Sequence, residues 1–204
     1  SGLLLLHLLA LFLTFSRSTL LAAILAITVL FALQNRALIR KHASKLLLTG
    51  TALLLVLFGT VFMLRDNYLV SNLVFHADES TVLADPNELR VDLFQRGVNG
   101  VIDEPLGNGP GTAGLPSTRI PNGILTENYF LQIAYEVGVF GLLVFLGLLY
   151  LIVSRLWQQR KDPFAQALLA SFAGLVFANL LFHTWANEAV AISWFLLAGL
   201  LLKE

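Results

Sequence analysis

Cysteine is absent from the 204 residues. That excludes a disulfide framework and any thiolate metal site. Charge is scarce too: 13% of the residues are Asp, Glu, Lys or Arg, against about a quarter in a soluble domain. The 13 basic and 13 acidic residues cancel, so no bulk attraction draws the chain to nucleic acid. The four histidines are scattered, and neither His-x-x-x-His nor Asp-x-Asp occurs, so no metal site is assigned. No basic start followed by a small-residue cleavage site opens the chain, which excludes a signal peptide as the reading of its first run. That run, Leu3 to Leu13, is too short to span a membrane alone. It reads as the end of a cut helix, and the chain as the C-terminal part of a longer membrane protein whose N-terminal helices complete the bundle.

What is abundant is apolar sequence: 57% of the residues are hydrophobic, and they come in runs, the mark of a membrane protein. Leu20 to Leu33, Leu46 to Leu64, Asn128 to Val153 and Phe164 to Phe182 read as spans, and Ala189 to Leu202 as a shorter last run. One helix from 3 to 33 would be about 46 Å long, so a turn is expected at Ser16-Arg17-Ser18, with Ser18 as the cap of the next helix. The expected fold is all-α, a polytopic membrane helical bundle with a long extracytoplasmic loop containing short helices. Residues 1–64 form transmembrane helices, 65–126 the loop, and 127–204 transmembrane helices again.

Sidedness follows from charge. The short loops 35–45 and 154–162 are basic and fall on one side if the helices alternate, which makes that side cytoplasmic. The 65–126 loop holds eight acids against four arginines, which suits the opposite face. Arg17, this loop and His183 to Glu188 then share the outer surface. Inside the loop, Asp85-Pro86 reads as a helix cap with proline at the first helical position, predicting a short helix from Pro86 to about Gly97. Its projection puts Arg90 in the middle of an apolar arc with Leu89, Leu93 and Phe94. An arginine so placed either snorkels from an interfacial helix or serves a site.

Gly107-Asn-Gly109-Pro-Gly111-Thr-Ala-Gly114 lacks the Lys-Ser/Thr of a phosphate-binding loop and the strand-turn-helix setting of a dinucleotide fingerprint. Glycine at this density lets backbone N–H groups approach an anion closely; a flexible external loop has the same composition. The helix that follows is more specific. Glu127, Asn128, Gln132, Tyr135 and Glu136 share one half of its circumference within three turns. Ionisable groups inside a membrane are costly and face a bundle interior or a watery cavity. The helix dipole alone accounts for Glu127, but not for Gln132 or the deeper Glu136. Arg17 sits between two apolar runs, where a guanidinium either anchors an interface or binds phosphate in a bidentate fork. Trp185 reads as an aromatic-belt residue and His183 as a hydrogen-bonded rim residue.

Thr14-Phe-Ser-Arg17-Ser18, then Arg90, Glu104-Pro-Leu-Gly107-Asn-Gly109-Pro-Gly111, Glu127-Asn-Tyr-Phe-Leu-Gln132 and Glu136-Val-Gly138 with Gly141 follow one another around the long loop. In that order they resemble the O-antigen ligase and polymerase family, whose members act on glycans carried by undecaprenyl pyrophosphate. The resemblance implies a membrane-embedded, metal-independent glycosyltransferase without cofactor, in the bacterial inner (plasma) membrane, with its active site on the extracytoplasmic face. Its partners would be the undecaprenyl-pyrophosphate-linked glycan and an acceptor glycan or lipid. Arg17 matches the family's arginine in the Ser-Arg motif. Arg90 matches its loop arginine, with Arg96 as the second match. Where ligases of the family commonly carry histidine before the motif Asn, this chain has Glu127, which is similar to the polymerase and exopolysaccharide branches.

The implied chemistry is a single displacement with inversion. Arg17 and Arg90 clamp the pyrophosphate, an electrostatic role, and Glu127 takes the proton of the attacking hydroxyl. Arg96, Gly107, Gly109, Gly111, Asn128, Gln132, Tyr135 and His183 are the expected substrate contacts. A transporter or flippase of the same lipid-linked glycan is the rival reading. It needs polar groups through the full depth of the bundle, whereas here they gather at the outer ends.

Overall fold

The computed structural model describes residues 2–13, 16–39, 41–42, 63, 86–121 and 123–202. Among them the fold is all-α, with one isolated bridge between Ala113 and Ile124 in place of any sheet. The chain divides into two compact units, residues 1–20 with 31–83 and residues 21–30 with 84–204.

In the first unit, α1 covers Gly2–Leu13, and of the expected turn Ser16-Arg17-Ser18 only Ser16 is non-helical. The cap of α2 (Arg17–Gln34) is Ser16, whose Oγ accepts the Thr19 N–H at 3.4 Å. This corrects the expectation for Ser18. Ser16 has the extended backbone a cap requires, while Ser18 is already helical. Arg17 thereby becomes the first residue of α2, and its side chain lies outside the described part. The expected basic loop after α2 is helical again over 36–39 and 41–42. The expected span Leu46 to Leu64 lies outside the described residues, apart from Met63, and so do Asp85 and most of the first half of the long loop.

The second unit carries the rest. Helix α3 (Pro86–Asp103) runs well beyond the expected end at Gly97. Gly97 and Gly100 stop nothing, because they are contact points. A Cβ at Gly97 would lie 2.7 Å from Leu131 Cδ2, and one at Gly100 would enter the Tyr135 ring. The packed line of α3 is thus Arg90, Gly97 and Gly100, near helical spacing, while Leu89 and Phe94 of the expected apolar arc stay about half exposed.

Helix α4 (Tyr129–Gln158) is capped by Asn128 and is not one straight rod: Gly138 has φ 78° and ψ 176°. The Phe130 and Phe145 rings stand 6.4 Å apart, and Tyr129 and Phe145 6.1 Å apart. In an unbroken helix residues 130 and 145 would be separated by about 22 Å along the axis. The helix axis therefore turns sharply at Gly138, and residues 129–137 form a short limb set at an angle to residues 139–158. This corrects the expectation of an unbroken span from Asn128 to Val153. The second limb, about 30 Å long, by itself matches the thickness of a bilayer core.

A broken helix exposes orphan carbonyls and N–H groups, and the glycine loop satisfies them on both sides. Asn108 N–H donates to Tyr135 O at 2.8 Å and Gly109 N–H to Glu136 O at 3.0 Å, closing the first limb. Val139 N–H donates to Pro105 O at 3.0 Å, opening the second. Gly107 faces the break so closely that a Cβ there would lie 2.6 Å from Glu136 O, and one at Gly138 would lie 2.6 Å from Pro105 O.

Helix α5 (Pro163–Leu181) starts on the Asp162 cap with proline at its first turn. Both α4 and α5 are long and apolar enough to cross a membrane. A buried amide, Asn179, closes α5: its Oδ1 accepts the Trp185 N–H at 2.9 Å and its Nδ2 donates to Leu175 O at 2.7 Å. The 3-10 turn Thr184–Ala186 and α6 (Glu188–Leu201), capped by Asn187, complete the unit. Trp185 is not in an aromatic belt. It is 3% exposed, with Tyr129, Phe130, Phe145, Phe172, Trp194 and Phe195 around it at 5.9 to 6.4 Å.

The break predicts an unequal response among the loop glycines. Gly107→Ala forces a left-handed backbone and a clash with main-chain atoms, and should cost about 3 kcal/mol. Gly109→Ala has the same kind of φ but open space around it, and should cost about 1 kcal/mol. Unfolding in detergent measures both, and equal losses would contradict the capping role of the loop.

Candidate active site

The site forms where three chain segments meet: the N-terminal half of α3, the start of α4 and the end of α5. Asn128 joins two of them. Its Oδ1 accepts the Leu131 N–H at 2.9 Å, capping α4, and its Nδ2 donates to Leu180 O at 3.1 Å, satisfying an end carbonyl of α5. This places Glu127 immediately outside the helix start, where the partial positive charge of the dipole favours a carboxylate.

Arg90 reaches Glu127 from α3. Its Nε lies 2.6 Å from Glu127 Oε2, with the side chains 54% and 31% exposed. The half-exposed setting makes this more than a screened surface pair and less than a buried one. The guanidinium also lies over the Phe182 ring, 5.7 Å from its centre, a cation–π contact. Beside the pair is a cavity of about 140 Å³ lined by Arg90, Phe94, Glu127, Asn128, Leu131, Leu180 and Leu181. Its walls are mainly apolar, and its charges are gathered in the pair.

The ion pair uses one carboxylate oxygen and the side edge of the guanidinium. The closest approach is Arg90 Nε to Glu127 Oε2, so the contact is made at the side edge of the guanidinium rather than at its two-pronged end. A carboxylate oxygen and a guanidinium fork are therefore presented together, each held by the other. That arrangement can take an anion on the fork and a proton on the carboxylate.

The other expected contacts divide. Gln132 and Glu136 do not join the pair; they form a second node with Ala113. Glu136 Oε1 accepts the Ala113 N–H and the Gln132 amide, both at 3.2 Å, and Gln132 Nε2 approaches Ala113 O at 3.5 Å. Gly114 lies against the Gln132 side chain. The Tyr135 ring covers Gly100, and its carbonyl holds Asn108. Gly107 packs under the break in α4, Gly109 has open space above its Cα, and Gly111 meets Ile120 and Pro116 at ordinary contact distance. Arg96 pairs with Asp92 at 2.8 Å along α3. His183 follows Phe182 directly, with Nδ1 buried and unpaired. Among the described residues no group of three or more His, Asp and Glu is arranged for a metal.

Sequence reasoning missed three participants: Leu180 through its carbonyl, Phe182 through its ring, and Asn179, which fixes the turn after them. A lone amide near the end of an apolar helix was the one available signal, since such a group needs a partner.

A family model described as O-Antigen ligase matches residues 2–146. The match covers the region carrying Arg17, Arg90, the glycine loop and Glu127 to Glu136. No curated protein and no solved structure matches the chain.

The second node yields a test that is independent of activity. Glu136→Ala removes the acceptor of the Ala113 N–H, a charge-assisted bond of about 2 kcal/mol. Amide exchange at Ala113 should accelerate about tenfold or more, with little change at residues 165–175. Unaltered exchange at Ala113 would show that the loop is held by something else.

Proposed function

The chain belongs to the O-antigen ligase family, and we propose that it polymerises or transfers glycans from an undecaprenyl-pyrophosphate carrier on the extracytoplasmic face of a bacterial plasma membrane. Membership makes it a membrane protein of O-antigen ligase or polymerase type. The observation that carries the finer reading is the Arg90–Glu127 pair at the edge of an apolar-walled cavity. A lipid diphosphate sugar has the matching character: an apolar chain, a dianionic leaving group and a reacting carbon beside it.

In the proposed reaction the terminal nitrogens of Arg90 take the diphosphate, with Arg17 as a second cation. The acceptor hydroxyl attacks the anomeric carbon as Glu127 Oε1 accepts its proton. The bond from that carbon to the diphosphate oxygen breaks, and its electron pair leaves with the diphosphate, whose charge the arginines stabilise. A single displacement inverts the anomeric centre and uses no metal ion. Gly109 and Gly111 are the loop glycines left to approach the substrate, and Asn128 and His183 flank it. Glutamate rather than histidine at position 127 supports a polymerase or exopolysaccharide role.

Purified protein in liposomes, supplied with lipid-linked repeat units from producing cells, should form longer or transferred glycan, undiminished in chelator. Arg90→Ala, Arg17→Ala and Glu127→Gln should each lower the rate by about 10²-fold or more while the protein still inserts. Full-length product from all three variants would overturn the enzymatic reading. Tight donor binding without transfer by the unaltered protein would favour a carrier instead.

A further inference from the structure

The end of α5 contacts Arg90 itself and the residue that follows Glu127. Leu180 O receives the Asn128 amide, one residue from Glu127. Phe182, two residues on, lies under the Arg90 guanidinium. The turn itself is fixed from below. Phe182 N–H closes on Ala178 O at 2.8 Å, and the fully buried Asn179 holds the chain at Trp185, which sits at the centre of the aromatic cluster.

We infer that Phe182 and Asn128 are positioning residues, which together with the end of α5 set the distance and orientation between the Arg90 guanidinium and the Glu127 carboxylate. The inference rests on the glycan-transfer reading of the site for its kinetic consequence, but its geometric content stands without it. A guanidinium on a flexible stem 54% exposed has many rotamers available. The ring face restricts it to one plane, and Nε is then the nitrogen that faces Glu127. On the other side, the Asn128 bridge ties the start of α4 to α5, so the carboxylate cannot drift from the ring that holds its partner. Both grips come from residues 180–182, beyond the 2–146 stretch that carries the family's match.

The two functions of Asn128 can be separated. Asn128→Ser keeps an oxygen able to cap α4 and loses the Nδ2 donor to Leu180 O. For the ring, Phe182→Leu keeps an apolar side chain but removes the π face, and Phe182→Tyr restores it. With the liposome assay, Phe182→Leu and Asn128→Ser should lower kcat about tenfold or more, consistent with the sensitivity of catalysis to small misplacements. KM for the donor should change little and unfolding temperatures should stay near the parent's, while Phe182→Tyr keeps kcat within about twofold. Parental kcat in Phe182→Leu, or an equal defect in Phe182→Tyr and Phe182→Leu, would overturn the inference. A cryo-EM structure of the full-length Phe182→Leu protein gives a reading independent of turnover. The Arg90–Glu127 contact should be open beyond 4 Å; a pair still at 2.6 Å would overturn the inference whether or not the parent protein transfers glycan. A parent protein that transfers nothing, with the pair open in the variant, would sink the glycan-transfer reading and leave the positioning claim intact.

Discussion

The structure of residues 84–204 depends on how one helix break is satisfied. Gly138 bends α4 sharply, and in doing so strips hydrogen-bond partners from Tyr135, Glu136 and Val139. In an apolar setting each such group left unpaired costs several kcal/mol. The loop 105–109 supplies all three partners within 3.0 Å, and Gly107 is the residue whose missing side chain lets the main chains come close enough. Loop and break are thus one object, since neither is tenable without the other. Once the limb 129–137 is bent at Gly138, Tyr129 and Phe130 reach Phe145 and Trp185, and the start of α4 arrives beside the end of α5.

That arrival builds the site. Helix α3 lies along the short limb through its two glycines, which presents Arg90 at the level of Glu127. The end of α5 contributes a carbonyl to Asn128 and a ring to Arg90. A carboxylate and a guanidinium then border a mainly apolar cavity. The glycan transfer we propose would need a cation for a departing diphosphate and a base for an attacking hydroxyl. In that proposal Arg90 and Glu127, which meet at 2.6 Å, take the two roles.

Much of this was legible in the sequence where the signal is local. Hydropathy located α5 and α6 to within a residue or two, Pro86 marked the start of α3, and Glu127 and Arg90 stood out as charges in apolar surroundings. The break in α4 was not legible. Val137-Gly138-Val139 reads like any small-residue contact in a membrane helix, and only the backbone shows that φ is positive. Gln132 and Glu136 looked continuous with Glu127 because a straight helix puts them on one face. Their real partner, Ala113, lies 19 and 23 residues earlier in the chain, at a distance no helical projection covers. Gly97 read as a terminator because glycine is a poor helix former, and the close approach of Leu131 that justifies it is a tertiary fact. Trp185 read as a belt residue because its burial comes from six rings drawn from four other segments.

The chain carries no cysteine of its own, so thiols can be placed at will, and the bend in α4 can be measured directly. In the double variant Phe130→Cys, Phe145→Cys, a bifunctional thiol reagent spanning about 10 Å should join the two positions within one molecule, giving a single cross-linked mass. An uninterrupted helix holds them about 22 Å apart, beyond the reagent's reach. Efficient cross-linking is the result expected of a helix bent sharply at Gly138, and two singly modified thiols with no bridge between them would contradict it.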